Sequence, residues 1–190
     1  MVPTDEREAR LRFSLASATA RRAVDPDRVC RAFESAGVRA RLAFGRLEDG
    51  LTGFRTSLKQ AERVKEVAVA GGDQQSARVV FYGEVAPIAL MASDLDQLRR
   101  FVSDVLSDLG VDDERCRWLR ETLRKLLARN RSYIATAEAM ILHRNTIQYR
   151  VAQAMKLCGR SFDDPDTVFK VRTAVEACRS MGSAVLRVGG

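Results

Sequence analysis

The chain has very little histidine or tryptophan and no paired cysteines, and each shortage narrows the chemistry open to it. Its 190 residues include one histidine, one tryptophan and four cysteines. A single histidine leaves little room for acid–base relays, and no nucleophile elbow, phosphate loop or H-E-x-x-H motif occurs. The cysteines are scattered without a C-x-x-C pair, which predicts packed, reduced thiols. We therefore expect no enzyme activity, no cofactor and no metal site.

Long apolar runs are absent as well. No stretch of 18 apolar residues occurs, and the opening segment "MVPTDEREARLRFSLASATARR" carries acids and arginines where a secretion signal needs an apolar stretch. Hydrophobic residues make up 46% of the chain and charged residues 30%, which is ordinary for a globular protein. These features predict a soluble, cytoplasmic protein without a membrane partner.

Positive charge is concentrated in one part of the chain. Residues 1–110 contain 17 basic and 16 acidic side chains, whereas residues 115–160 contain 11 basic and 2 acidic ones, a net of +9. A basic field of this kind attracts polyanions and speeds their association. A solvated, arginine-rich helix face has the same composition, so charge alone leaves both interpretations open.

Hydrophobic periodicity predicts an α+β fold with its strands in the first half. The pattern indicates strands at 38–44 and 77–85 on either side of a helix at 51–72, as in an incomplete α/β layer. From residue 93 onwards the chain reads as helical throughout, with arginines on the far side of the helix at 112–130. The predicted organisation is an N-terminal arm at 1–27, a partial α/β region at 28–92, a linker helix at 93–111, an all-α domain at 112–182 and a frayed tail at 183–190.

The segment "ILHRNTIQYRV" shows how two of these helices are joined. In a helix beginning near Arg144, an apolar stripe of Ile147, Val151, Ala154 and Cys158 must face the rest of a bundle. A short helix beginning at Ser132, a three-residue turn and a second helix with a polar first two turns form the helix-turn-helix layout, whose second helix enters the major groove. The sequence thus predicts a recognition helix at about 144–158.

The polar face of that helix carries the side chains that read DNA. Arginine donates two parallel hydrogen bonds to guanine, and asparagine and glutamine pair in the same way with adenine, so Arg144, Asn145 and Gln148 are predicted to read bases. The predicted phosphate contacts are Ser132, His143, Thr146, Tyr149 and Arg150.

Two alternatives stay open for these residues. The polar face can be a hydrated surface without a ligand, and Arg150, three positions after Ile147, can turn towards the bundle instead of the phosphates. His143 has no partner histidine for a metal, so an N-cap or a phosphate contact is favoured for it.

The C-terminal part of the chain resembles a known family. An H-R-N-T-x-x-Y-R core at 143–150, an L-x-G at 157–159 and a D-D-P at 163–165 together are typical of the helix-turn-helix domain of PucR and CdaR type bacterial transcriptional regulators. The segments "GLTGFRTSLKQAERVKEVAVAGG" and "VVFYGEV" look like the tail of the degenerate GGDEF-like domain that precedes it, so the resemblance spans about 37–180.

The resemblance implies a sequence-specific, nucleoid-associated regulator that binds a double-stranded operator as a homodimer. It also implies a small-molecule effector, bound through a sensor region that this sequence does not contain. Two departures stand out. Ile141 occupies a turn position where many helix-turn-helix proteins have glycine, and a β-branched residue disfavours positive φ. The region upstream is too short for a complete cyclase-like domain.

Three other functions compete with this interpretation. "GGDQQ" at 71–75 is similar to the diguanylate cyclase signature, but it lacks the glutamate and follows a helix, which argues against catalysis. An architectural protein that bends DNA with little sequence preference would have a similar basic helix-turn-helix. The upstream strands or the last helix can also serve as a protein-interaction module.

Overall fold

The computed structural model describes residues 2–5, 8–10, 26–37, 41–72 and 79–188. Contacts divide the chain into two compact units, 1–41 and 42–190. In the first unit, β1 (Val2–Asp5) pairs antiparallel with β2 (Glu8–Arg10). Helix α1 (Pro26–Ser35) is followed closely by Gly37, which has φ +66°. Residues 11–25, which make up most of the predicted N-terminal arm, lie outside the described residues.

The second unit begins with the predicted order of strand, helix and strand. β3 (Leu42–Phe44) and β4 (Val79–Phe81) form a parallel pair, and α2 (Gly50–Ala70) connects them. The rings of Phe44 and Phe81 stack with their centroids 4.8 Å apart. Residues 38–40, the start of the first predicted strand, fall outside the described residues. So do residues 73–78, which include the end of the "GGDQQ" segment and the start of the second predicted strand.

The prediction of a strand at 77–85 is wrong beyond Phe81. The chain turns there into α3 (Tyr82–Met91), because the Glu84 side chain caps the new helix by accepting a hydrogen bond from the Phe81 N–H at 3.4 Å. The helix then buries Val85 and Ile88. Apolar side chains that resemble a buried strand thus form one side of a short helix.

Every helix predicted after residue 93 is present. The elements are α4 (Leu95–Leu106), a 3₁₀ turn (Ser107–Gly110), β5 (Val111–Asp112), α5 (Glu114–Ala128), α6 (Tyr133–Met140), α7 (Arg144–Cys158), α8 (Pro165–Met181), a second 3₁₀ turn (Gly182–Ala184) and β6 (Arg187–Val188). Carboxylate N-caps explain where α4 and α5 begin. The Asp94 side chain accepts a hydrogen bond from the Gln97 N–H at 3.0 Å, and the Asp113 side chain accepts one from the Cys116 N–H at 2.6 Å.

One contiguous core joins these elements. It runs from Val64 on α2 to Val185 after α8, and it includes buried residues of every helix between them. Helix α8 packs against α2, α3, α4 and α5. Burial of each large aliphatic side chain in such a core stabilises the fold by roughly 1.5–3 kcal/mol.

The predicted frayed tail is packed instead. Val185 is only 2% exposed, and β6 pairs parallel with β5, with Arg187 opposite Val111. The Arg187 guanidinium also donates a hydrogen bond to the Ser107 carbonyl. An apolar anchor followed by two strand residues therefore holds the chain against the start of α5.

The arginines of α5 do not all face solvent, which corrects the predicted far side of that helix. Arg120 is 6% exposed, and its Nη1 donates to the carbonyl oxygens of Leu109 at 2.8 Å and Val111 at 2.6 Å. Leu109 belongs to the 3₁₀ turn and Val111 directly follows it, so the guanidinium binds two acceptors where the chain passes from this turn towards α5. Arg120 is thus part of the core rather than of a basic surface.

Asp164, the N-cap of α8, should make the stability of the fold depend on pH. The Asp164 carboxylate accepts hydrogen bonds from the Thr167 hydroxyl and N–H, both at 2.8 Å, and these bonds lower the pKa of Asp164 in the folded protein. The carboxylate therefore stabilises the fold above its unfolded pKa of about 3.9, and this contribution is lost as pH falls through the lowered value. In thermal melts, we expect the difference between wild type and Asp164→Asn to narrow between pH 7 and pH 3. A constant difference would contradict this.

Candidate nucleic-acid interface

Helices α6 and α7 form the helix-turn-helix layout that the sequence predicts. Helix α6 has 8 residues, residues 141–143 connect it to α7, and α7 has 15 residues. The Ser132 hydroxyl caps α6 by accepting a hydrogen bond from the Ala135 N–H at 3.2 Å. Ala137 is 7% exposed and belongs to the core, which is consistent with a close approach of the two helices.

The turn contains a β-branched residue in the left-handed region. Ile141 has φ +55° and ψ +46°, so the backbone geometry usual for glycine is adopted without one. The N–H groups of Ile141 and Leu142 donate to the carbonyls of Glu138 at 3.2 Å and Ala137 at 3.0 Å. The Ile141 side chain is 93% exposed, so little packing offsets its strain. The turn is therefore specified by its hydrogen bonds and by the docking of both helices.

Ile141→Gly should stabilise the protein. A left-handed conformation costs a residue with a Cβ about 1–2 kcal/mol, and the greater freedom of glycine in the unfolded chain offsets part of the gain. We expect a net increase of roughly 1 kcal/mol in the free energy of unfolding, measured by urea denaturation. Ile141→Val, which keeps the branched Cβ, is the control and should give no increase. A less stable glycine variant would show that the strain is not present.

His143 is the N-cap of α7. Its Nδ1 accepts a hydrogen bond from the Asn145 N–H at 3.2 Å. In the neutral ring the proton then resides on Nε2, and His143 is exposed, so that N–H is free to donate to an external oxygen. The cap also uses one of the N–H groups that a phosphate at the helix start would bind.

Helix α7 has two faces of opposite character. Ile147, Val151, Ala154 and Cys158 are each 2% exposed or less, which confirms the predicted stripe. The first two turns of the opposite face are solvated and carry Arg144, Asn145, Gln148 and Tyr149. Four side chains able to donate hydrogen bonds thus lie together on one exposed helical surface.

The other predicted contact residues are placed less uniformly. Ser132 and His143 are exposed caps at the starts of α6 and α7, beside the exposed face. Thr146 is half-buried next to Ile147. Arg150 is also half-buried, and its guanidinium carbon lies 5.5 Å from the centroid of the Trp118 ring on α5. Arg150 thus contacts another helix through its side chain.

The basic segment is only partly neutralised. Among the described residues, three of the 11 basic side chains in 115–160 form ion pairs: Arg117 with Glu114, Arg124 with Glu121 and Glu176, and Lys125 with Glu121. The other eight have no carboxylate within ion-pair distance in the part of the chain that the structure describes. The positive field that composition predicts is therefore retained in the folded domain.

Much of that positive charge is nevertheless structural. Arg120, Arg129, Arg131 and Arg160 donate to backbone carbonyls, in the last two cases to distant ones: Arg131 to Phe162 at 2.7 Å and Arg160 to Asp104 at 2.9 Å. These arginines satisfy the carbonyls of helix ends and loops. Sequence reasoning missed this role because composition cannot separate a carbonyl-binding arginine from a free one.

Two other kinds of site find no support among the described residues. No group of histidine, cysteine, aspartate and glutamate in those ranges is arranged to hold a metal ion. Nor does any helix in the same ranges combine the length and apolar character needed to cross a bilayer.

A comparison with family models identifies the domain that contains this interface. Residues 119–177, from the middle of α5 to near the end of α8, match the PucR C-terminal helix-turn-helix domain. No solved structure matches the chain significantly.

Three curated proteins are similar to parts of this chain. The purine catabolism regulatory protein of Bacillus subtilis (strain 168) is 28% identical over 100 residues, which cover 53% of this chain and 19% of that protein. The transcriptional activator PmfR of Paenarthrobacter nicotinovorans is 34% identical over 74 residues, or 39% and 16% of the two chains. An uncharacterised protein from the pkwA 5′ region of Thermomonospora curvata is 28% identical over 109 residues, or 52% and 61%. The matched part thus spans less than a fifth of the first two relatives.

Proposed function

Because residues 119–177 form a PucR-type C-terminal helix-turn-helix domain, we propose that the chain is a transcriptional regulator that binds double-stranded DNA. The observation that carries this proposal is the exposed polar face at the start of α7, opposite a fully buried apolar stripe. The names of two curated relatives, a regulatory protein and a transcriptional activator, support the same conclusion. The proposal assigns no catalytic step to the chain.

In this proposal α7 lies in the major groove and reads sequence. Arg144 binds guanine, while Asn145 and Gln148 bind adenine through paired hydrogen bonds. Their exposure and common face support these roles. Ser132, His143, Thr146 and Tyr149 hold phosphates on either side of the groove. Arg150 is left out of this set because its guanidinium lies against Trp118.

The region before the helix-turn-helix domain also has a proposed origin. We propose that β3, α2 and β4 are the remaining part of a cyclase-like layer, which their parallel pairing around one helix supports.

A homodimer is expected from the two-fold symmetry of most operators. Sedimentation that shows only monomer, with and without DNA, would contradict it. The first two relatives are several times longer than the part that matches this chain, so a sensor for a small-molecule effector is proposed to lie outside this sequence.

Architectural binding with little sequence preference is the alternative, and selection of DNA from a random pool separates the two. The purified chain is mixed with random duplexes at about 150 mM salt, where phosphate attraction alone gives weak binding. An enriched inverted repeat supports a dimeric, sequence-specific regulator, and a single enriched half-site supports a specific monomer. Binding without enrichment supports the architectural function. No binding would contradict the proposal.

A further inference from the structure

Two contacts one helical turn apart join α5 to α7 beside their shared core. The Arg150 guanidinium lies over the Trp118 ring, and Arg115 Nη2 donates to Gln153 Oε1 at 3.3 Å. Trp118 comes three residues after Arg115 along α5, whereas Arg150 comes three residues before Gln153 along α7, which is the register of two antiparallel helices. We call these four residues the α5–α7 seam.

The environment of Arg150 argues against a role as a simple phosphate contact. Its Nη1 is buried and has no hydrogen-bond acceptor among the described residues. A guanidinium that serves a phosphate presents its N–H groups to the ligand, whereas an unsatisfied buried donor is unfavourable by itself. Attraction between the cation and the ring favours this arrangement. Contact with Trp118 therefore accounts for where the Arg150 side chain lies.

The rest of the α5–α7 contact has no directional preference. Both helices contribute buried aliphatic side chains to the shared core, among them Leu119 and Leu123 of α5 and Val151 and Ala154 of α7. Burial of the Ile147 stripe decides which side of α7 faces the bundle. Hydrophobic attraction is non-directional, however, so within that limit it leaves a range of rotations of α7 about its axis. The cation–π contact and the hydrogen bond of the seam have preferred geometries and select one.

We propose that Arg150 and Trp118 are positioning residues that set the rotation of α7, and thereby aim Arg144, Asn145 and Gln148 at the base edges. The inference rests on the proposed function of α7. Helical side chains lie about 5–6 Å from the helix axis, so a rotation of roughly 10° moves them by about 1 Å. A shift of that size is enough to break a paired hydrogen bond to a base. A tryptophan outside the recognition helix thus becomes a determinant of specificity.

The test compares two duplexes of equal length and composition, one enriched from the random pool and one shuffled. Specific binding by the wild-type chain, which the proposed function requires, is measured first. Trp118→Leu and Arg150→Gln are each expected to weaken binding to the enriched duplex by about three- to tenfold. Binding to the shuffled duplex should change by less than about twofold. The double variant should bind no more weakly than the weaker single variant, because both changes break one contact.

Conservative variants and one neighbour serve as controls. Trp118→Phe keeps an aromatic ring and Arg150→Lys keeps the cation, so both should retain most of the specific affinity. Arg117→Ala removes an exposed arginine next to Trp118 that pairs with Glu114 at 3.5 Å, outside the seam. It should leave the ratio of the two affinities unchanged. Circular dichroism and thermal melts show that each variant is folded.

The dependence on salt separates positioning from phosphate binding. Loss of one phosphate contact lowers the slope of log Kd against log salt by about 0.9. If Arg150 positions α7, the slope is the same for wild type and Arg150→Gln. A slope lower by about one for Arg150→Gln, with normal binding by Trp118→Leu, would overturn the inference in favour of a phosphate contact. Wild-type binding by both variants, or equal losses on the two duplexes, would also overturn it while leaving the proposed function intact.

Discussion

Asn145→Ala is expected to weaken binding to the preferred duplex by about 1–3 kcal/mol, or roughly 5- to 150-fold, with little change on random DNA. The asparagine amide offers one donor and one acceptor to adenine, and alanine offers neither. Asn145 is exposed on the first turn of α7, and its backbone N–H, rather than its side chain, completes the His143 cap. The substitution should therefore remove a base contact without affecting the fold. Competition binding against labelled preferred and random duplexes measures both affinities.

A matched change further along α7 isolates this effect. Ala152→Gln adds a polar side chain at an exposed position two turns after Asn145 and should leave both affinities unchanged. If Asn145→Ala weakens binding equally on preferred and random DNA, the helix does not read sequence at this position, and architectural binding is favoured. Loss of helicity by circular dichroism would instead show that Asn145 is needed for folding.

Arg120→Ala is expected to lower the free energy of unfolding by about 3–5 kcal/mol, the largest stability effect foreseen for one arginine. The change leaves the carbonyls of Leu109 and Val111 without their donor and opens a cavity at the start of α5. Each unsatisfied buried polar group costs about 1–3 kcal/mol. For a chain of this size, the melting temperature should fall by roughly 6–20 °C. Urea denaturation and calorimetry measure the two quantities.

Two further variants separate the hydrogen bonds of Arg120 from its volume. Arg120→Met fills most of the space without donating, and it should be destabilised by nearly as much as the alanine variant if the carbonyls dominate. Arg117→Ala removes an arginine that is exposed on the same helix and should change stability by less than about 0.5 kcal/mol. An alanine variant at position 120 within 1 kcal/mol of wild type would show that water replaces the guanidinium.

Local signals predicted the helix-turn-helix well because each one acts over a few residues. The stripe of Ile147, Val151, Ala154 and Cys158 is a matter of helical period, and Ser132 and Asp164 cap the helices that follow them. The exposed side of α7 then follows from the position of the stripe. Binding roles on that side do not follow, since a solvated helix shows the same pattern.

The features that sequence could not supply depend on distant contacts. Gly83 and Pro87 argue against a helix at 82–91, yet packing against α2 and the Glu84 cap favour one. Arg120 has the same chemistry as its exposed neighbours and is distinguished only by the Leu109 and Val111 carbonyls. The sequence does not predict the role of Trp118, because its partner is 32 residues away along the chain. Its only local signal is that the single tryptophan of the chain lies among the arginines of α5.

Helix α8 determines how a disturbance in one part of the second unit reaches the others. It contacts α2 and α3 on the strand-containing side and α5 on the side of the helix-turn-helix, and buried residues of all these helices belong to one core cluster. A ligand or partner that displaced α2 would therefore disturb α8 and, through it, α5, against which α7 packs. The free energy of the observed orientation of α7 would change. The reciprocal also holds, because linkage between two sites acts equally in both directions. If the β3–α2–β4 region binds a ligand in the proposed regulator, DNA that favours one orientation of α7 would change that ligand's affinity by the same factor.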